Sequence, residues 1–233
     1  YNTDRYTHQL TADWNAGSKL NIQSAFSYQD YKRATSTYRL DFINGTKQPS
    51  TNEGEWDIAK FNSIFGRVVA NWTWTEWLKL QPGIEFKSEQ GSGDRIVGEP
   101  RINDYAFFLS GEIRPVNALQ IRPGIRMSEN SKYDAPPVIS SINIKYKLAE
   151  DWDLRASYGR GFRAPALREL YFRFFDANHA IEGNPDLKAE YSNSFQAALS
   201  WQPEAKRKGR SWRVNFSAFH NDFKNRIALA TGA

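Results

Sequence analysis

Alternation with a period of two constrains this chain more than any other feature. From Tyr6 the even positions read Tyr6, His8, Leu10, Ala12, Trp14, and the odd ones Thr7, Gln9, Thr11, Asp13, Asn15. The same pattern recurs over residues 20–28, 64–74, 78–86, 105–113, 119–127, 142–148, 154–158, 191–201 and 212–218. A period of two is the signature of a strand with one apolar and one polar face. The spacing therefore predicts ten strands. Only residues 166–175 carry a helical period, and they fall in a connection. The even set Leu20, Ile22, Phe26 and the odd set Ile121, Ile125, Met127 are expected on one common face.

The connections alternate in length. Short ones fall at residues 15–18, 75–76, 115–117, 150–151 and 202–211, and long ones at 32–60, 88–103, 128–137 and 163–188. Short turns at one end and long loops at the other are the layout of outer-membrane β-barrels. Runs of about ten residues also suit strands that cross a bilayer at a tilt, whereas soluble strands average about 5–6. Mean hydropathy is −0.68, and no apolar run approaches the roughly 18 residues of a membrane-spanning helix. That excludes a helical membrane protein but not a barrel. Seven of the eight tryptophans (Trp14, Trp72, Trp74, Trp77, Trp152, Trp201, Trp212) sit beside short turns, and Trp56 lies on a long loop. Indole prefers the headgroup level, so this clustering reads as an interfacial girdle.

The polar face carries Lys19, Arg67, Lys79, Lys87, Arg114, Arg122, Arg126, Lys145, Lys147, Arg155 and Arg213 against Asp13, Glu85, Glu112 and Asp153. In a barrel these line the interior, where a basic excess favours anionic solutes or an acidic occupant; a solvated sheet face is equally consistent with the residues alone. The absence of cysteine excludes disulfide scaffolds, thiol catalysis and zinc–thiolate sites. Nucleotide-binding glycine loops, His-Glu-x-x-His and nucleophile elbows are also absent, so no catalytic residue is assigned. The basic turn at 206–210 is not read as a nucleic-acid site.

One stretch has a more specific signature. Gly159-Arg160-Gly161-Phe162-Arg163-Ala164-Pro165 is followed by Leu167-Arg168-Glu169-Leu170-Tyr171, and then by Glu182-Gly183-Asn184-Pro185-Asp186-Leu187-Lys188-Ala189-Glu190. This closely resembles the mid-barrel region of TonB-dependent outer-membrane receptors, with an FRAP box, a long extracellular loop and an NPDL box. Ala189 stands where many members carry proline. Residues 219–227 are similar to the family as well. The resemblance implies an all-β, antiparallel up-and-down transmembrane barrel of about 22 strands closed by a plug. It also implies import of a scarce nutrient (haem, a siderophore or cobalamin) across the outer membrane of a Gram-negative bacterium. Residues 1–233 are expected to be a partial barrel domain, with the N-terminal plug and the C-terminal strands absent. The implied partners are outer-membrane lipid, a TonB complex acting through the plug, and the nutrient; no cofactor is expected.

Within the loop between the boxes, His179 is a candidate axial ligand if the cargo is haem. Arg163, Arg168 and Arg173 are candidates for acidic groups of a ligand, and Tyr171 for its flat face. Two other readings stay open at this stage. One is a complete ten-stranded barrel enzyme using Asp176 and His179; the other is a soluble carbohydrate-binding β-protein with exposed tryptophans.

Overall fold

The computed structural model describes residues 1–51, 55–133, 135–175, 180–203 and 212–228. In chain order the elements are β1 (Asn2–Ala16), β2 (Leu20–Ser36), β3 (Tyr38–Leu40), β4 (Lys47–Pro49), β5 (Trp56–Thr73), β6 (Leu78–Gly93), β7 (Arg101–Val116), β8 (Leu119–Asn130), β9 (Ile139–Ala149), β10 (Trp152–Arg163), α1 (Leu167–Tyr171), β11 (Arg173–Phe175), β12 (Ala180–Glu182), β13 (Glu190–Trp201) and β14 (Val214–Lys224). The ten long strands form a single antiparallel sheet in the order β1-β2-β5-β6-β7-β8-β9-β10-β13-β14. The pairs β3-β4 and β11-β12 are small hairpins inside two of the long connections. The one-turn helix α1 occupies part of the stretch whose period predicts a helix.

Directly paired residues of antiparallel strands project to the same side of a sheet, so the register fixes both faces. One row runs Val68↔Ile84↔Phe107↔Met127, and another Leu154↔Leu199↔Phe216. Leu20 joins Trp72 and Leu80 on that side, and Ile121 joins Ile113 and Ile144. All ten strands thus share one apolar face, and the even and odd sets named above lie on it together. Nothing packs against this face among the described residues: Ile84 is 57% exposed, Tyr105 52% and Met127 47%. The soluble reading fails here, because a sandwich would bury these side chains between two sheets. The closed ten-strand reading fails too, since β1 and β14 lie at opposite ends of the sheet and do not pair.

The other face is held by directional bonds. A belt of side chains crosses five strands: Asn21 donates to Asp13 (2.6 Å), Asn71 to Asn21 (3.1 Å), Gln81 to Asn71 (2.7 Å) and Ser110 to Gln81 (3.1 Å). Beyond β7 the belt becomes ionic, with Arg122–Glu112 at 2.6 Å, Arg126–Glu85 at 2.7 Å and Lys145–Asp153 at 3.2 Å. On the apolar side, Trp72 stacks near Trp74 and Trp152 near Trp201, both pairs at the short-turn end.

The long-loop ends of the strands run further than the alternation predicts. β2 pairs with β5 as far as Ser36↔Trp56, through Asp30, Lys32 and Arg33. Apolar alternation marks only the length of strand that an apolar surrounding demands; backbone pairing continues into water, where both faces can be polar.

The two faces differ in their tolerance of charge. In the full-length protein folded into phospholipid vesicles, Ile84→Arg should lose about 2–4 kcal/mol of unfolding free energy. Ser27→Arg, on the polar face, should lose less than about 1 kcal/mol. Denaturant unfolding followed by tryptophan fluorescence measures both, and equal losses would refute the assignment of faces.

Candidate ligand-binding mouth

At the long-loop end, the described residues between β10 and β13 are 164–175 and 180–189, and they carry α1, β11 and β12. Pro165 cannot donate to the ladder, which stops pairing after Arg163, and it is fully buried. The chain turns into α1, whose first turn is capped by Glu169: its carboxylate accepts the Ala166 N–H at 2.7 Å. Leu167 and Leu170 are buried against Ile96 and Ile102, with Phe61, Tyr133, Tyr171, Phe172 and Leu187 around them. By register, Phe61 and Ile102 lie on the polar face of β5 and β7, on the side opposite Ile64 and Tyr105. The loop therefore seats on the inner wall of strands remote from its own.

Glycine allows close approach at the seat, where a side chain would have to displace Leu167. A Cβ on Gly91 of β6 would lie 2.7 Å from Leu167 Cδ2. Backbone bonds complete the dock: Val97 N–H to the Tyr171 carbonyl (3.0 Å) and Arg173 N–H to the Arg95 carbonyl (2.8 Å).

Arg163 fastens the ends of the loop. Its guanidinium donates to Glu190 at 2.5 Å and to both oxygens of Glu169 at 2.9–3.2 Å. Glu190 in turn accepts the Ile227 N–H at 2.6 Å. Asn184 closes an Asx turn by accepting the Asp186 N–H at 2.9 Å, and its own N–H donates to the Glu169 carbonyl at 2.9 Å. A Cβ on Gly183 would meet the Leu170 carbonyl carbon at 2.8 Å, so this turn also presses directly on α1. Partial burial of Glu169 disfavours its charge, but the Arg163 bonds and the Ala166 N–H outweigh that and hold its carboxyl below the usual range.

The remaining candidates lie on the same loop. Arg168 is exposed and sits over the Phe172 ring at 4.6 Å, and Arg173 over Phe175 at 5.1 Å. Tyr171 packs against the buried cluster with the Lys132 ammonium 5.9 Å from its ring. His179 and Asp176 lie outside the described residues, as does the basic turn at 206–210. Two residues not signalled by the sequence complete the rim. Arg95 lies 3.9 Å over Phe174 and pairs with the buried Asp57 at 3.2 Å, and Lys132 meets Tyr171 as above. Both come from connections with no motif, so only the fold brings them to the loop. The rim is thus a set of cations resting on aromatic faces, a surface suited to large, flat or anionic ligands.

The family model for the TonB-dependent receptor-like β-barrel matches residues 1–233. The chain belongs to that family. It is 27% identical over 140 residues to the vitamin B12 transporter BtuB of Photobacterium profundum, covering 58% of this chain and 22% of that protein. It is 36% identical over 80 residues to the hemoglobin and hemoglobin-haptoglobin-binding protein B of Haemophilus influenzae, covering 34% of this chain and 7% of that protein. The crystal structure of the siderophore receptor PirA from Acinetobacter baumannii superposes with a TM-score of 0.69 at 17% identity, covering 96% of this chain and 35% of that one. The chain spans about a quarter or less of the curated relatives it matches.

The Glu169 clamp has a defined pH window. Because its carboxyl is lowered in the folded state, its contribution is complete above the ordinary glutamate value near pH 4.3 and is lost as pH falls through the folded value. Hydrogen exchange of the 166–170 amides and of the Gly183, Asn184, Asp186 and Leu187 amides, corrected for intrinsic rates, should be constant above about pH 5 and accelerate below about pH 4. Arg163→Gln should accelerate exchange about fivefold at pH 7, an effect of about 1 kcal/mol after allowance for solvent screening, and should flatten the pH dependence. Unchanged exchange in the variant would show that the clamp holds nothing.

Proposed function

We propose that the chain is part of the barrel wall of an outer-membrane receptor that imports a large, scarce nutrient: an iron complex such as haem or a siderophore, or cobalamin. The observation that carries this reading is the family match over the whole chain on a sheet whose ten strands all present one bare apolar face. Such a face suits lipid, and the polar face suits a lumen. The plug, the strands that close the barrel and the contact with a TonB complex belong to the remainder of the receptor. The family is one of transport receptors, and no catalytic role is assigned to any residue here.

In this reading the short turns and their tryptophans are periplasmic, and the loop carrying α1 is extracellular. Arg168, Tyr171 and Arg173, with Lys132, offer cations and aromatic faces to a ligand at the mouth. Arg163 acts one step back, as the residue that positions the loop.

Two measurements on the full-length receptor test this. Cysteines at Thr46 and at Asn117, in a chain without native cysteine, should be labelled by an impermeant maleimide on intact cells only at Thr46; labelling at Asn117 alone would reverse the orientation. A strain lacking the receptor should lose growth on one of haem, a ferric siderophore or cobalamin as the limiting source, and Arg168→Ala with Arg173→Ala should weaken uptake of that nutrient about five- to tenfold. Undiminished growth on all three would sink the transport reading.

A further inference from the structure

At the opposite end of the sheet from the mouth, β8, β9, β10, β13 and β14 surround a groove of about 750 Å³ lined by Gln120, Arg122, Lys145, Arg155 and a mixture of other polar and apolar residues. Its charges do not balance. Arg114 and Arg122 share the single carboxylate of Glu112 at 2.7 and 2.6 Å, and Lys145 holds Asp153 at 3.2 Å. Arg155 is the direct cross-strand partner of Lys145, an arrangement that is destabilising for like charges. Four cations therefore meet two carboxylates. On the other side of Lys145 its register partner is Gln120, whose amide nitrogen is closed off from solvent and has no acceptor. A shielded donor without an acceptor has lost its water for nothing in return. The unmatched groups of this groove are thus all donors or cations, in one row across three strands.

We propose that this groove is an oxyanion site, taking a carboxylate or phosphate group between Lys145 and Arg155. An oxyanion cancels the Lys145–Arg155 repulsion. A neutral solute would not. The site rests on the reading of this sheet as barrel wall, which makes the polar face an enclosed lumen with its counter-ions restricted. The same chemistry has two sources: an acidic side chain elsewhere in the receptor, or a soluble anion within the barrel.

The test uses the full-length receptor in detergent, with zero-length carbodiimide coupling of Lys145 read by peptide mass spectrometry, and titration with inorganic phosphate read by calorimetry. Coupling of Lys145 to Asp153 is the internal control. A resident carboxylate appears as coupling of Lys145 to a second acidic residue, reduced at least fivefold by Arg155→Gln. A soluble anion appears as saturable phosphate binding, weakened about tenfold or more by Arg155→Gln. Coupling to Asp153 alone together with no phosphate binding overturns the site, as does a signal of either kind that Arg155→Gln leaves unchanged. Heat-modifiable migration of each protein on gels reports barrel formation separately. A receptor that forms no barrel overturns the wall reading, whereas a folded barrel with neither signal overturns the oxyanion site alone.

Discussion

Backbone hydrogen bonding is the constraint on which everything else in this chain depends. A strand in hydrocarbon has no water to satisfy its N–H and C=O groups, so each must pair with a neighbouring strand. The continuous ladder from β1 to β14 meets that demand for eight inner strands on both sides and for the two outer strands on one. Register follows from the same demand. A slip of one residue at any of the nine junctions would turn a whole strand's apolar set toward the polar wall. Rows such as Val68↔Ile84↔Phe107↔Met127 are consistent across four strands because every junction in them must be.

The two faces achieve stability by different means. The apolar face is non-directional: any large apolar side chain serves, and its alternation is therefore loud in the sequence. The polar face depends on partners. A chain of amides and a hydroxyl crosses β1 to β7 and ends on Asp13, and ion pairs link residues of β6 to β10. Each link adds only about 0.5–1.5 kcal/mol net, yet together the links fix side chains that would otherwise sweep through the enclosed space.

What could be read from the sequence divides along the same line. Strand number, order and the apolar face follow from local alternation, since a period of two needs no knowledge of distant residues. The extensions of β2 and β6 into the long loops escape that reading because water places no apolar demand on them. The seat of the loop escapes it for another reason: Leu167 meets Gly91 and Ile96 across more than seventy residues, and neither partner belongs to a motif. Arg163 illustrates the limit most clearly. In sequence it is a cation beside a long loop and stands equally well as a ligand contact. Its partners Glu169 and Glu190 lie 6 and 27 residues away, and only the fold shows that they claim it.

The seat also explains how a long connection can present a defined rim. Closing a loop of roughly 26 residues costs about 3 kcal/mol in chain entropy. Burial of Leu167 and Leu170 contributes about 1.5–3 kcal/mol each, which already offsets closure before the Arg163 bonds and the Asn184 turn are added. The anchor is thus strong enough to hold residues 164–173 and 182–190 against the wall while leaving Arg168 and Arg173 on the open side. A rim built this way separates two tasks that compete within one loop. Apolar side chains and carboxylates fix its position on the inner wall, and the cations resting on aromatic faces remain available to whatever arrives at the mouth. Cargo preference can then change through Arg168 and Arg173 without disturbing the seat, because neither side chain holds the loop down.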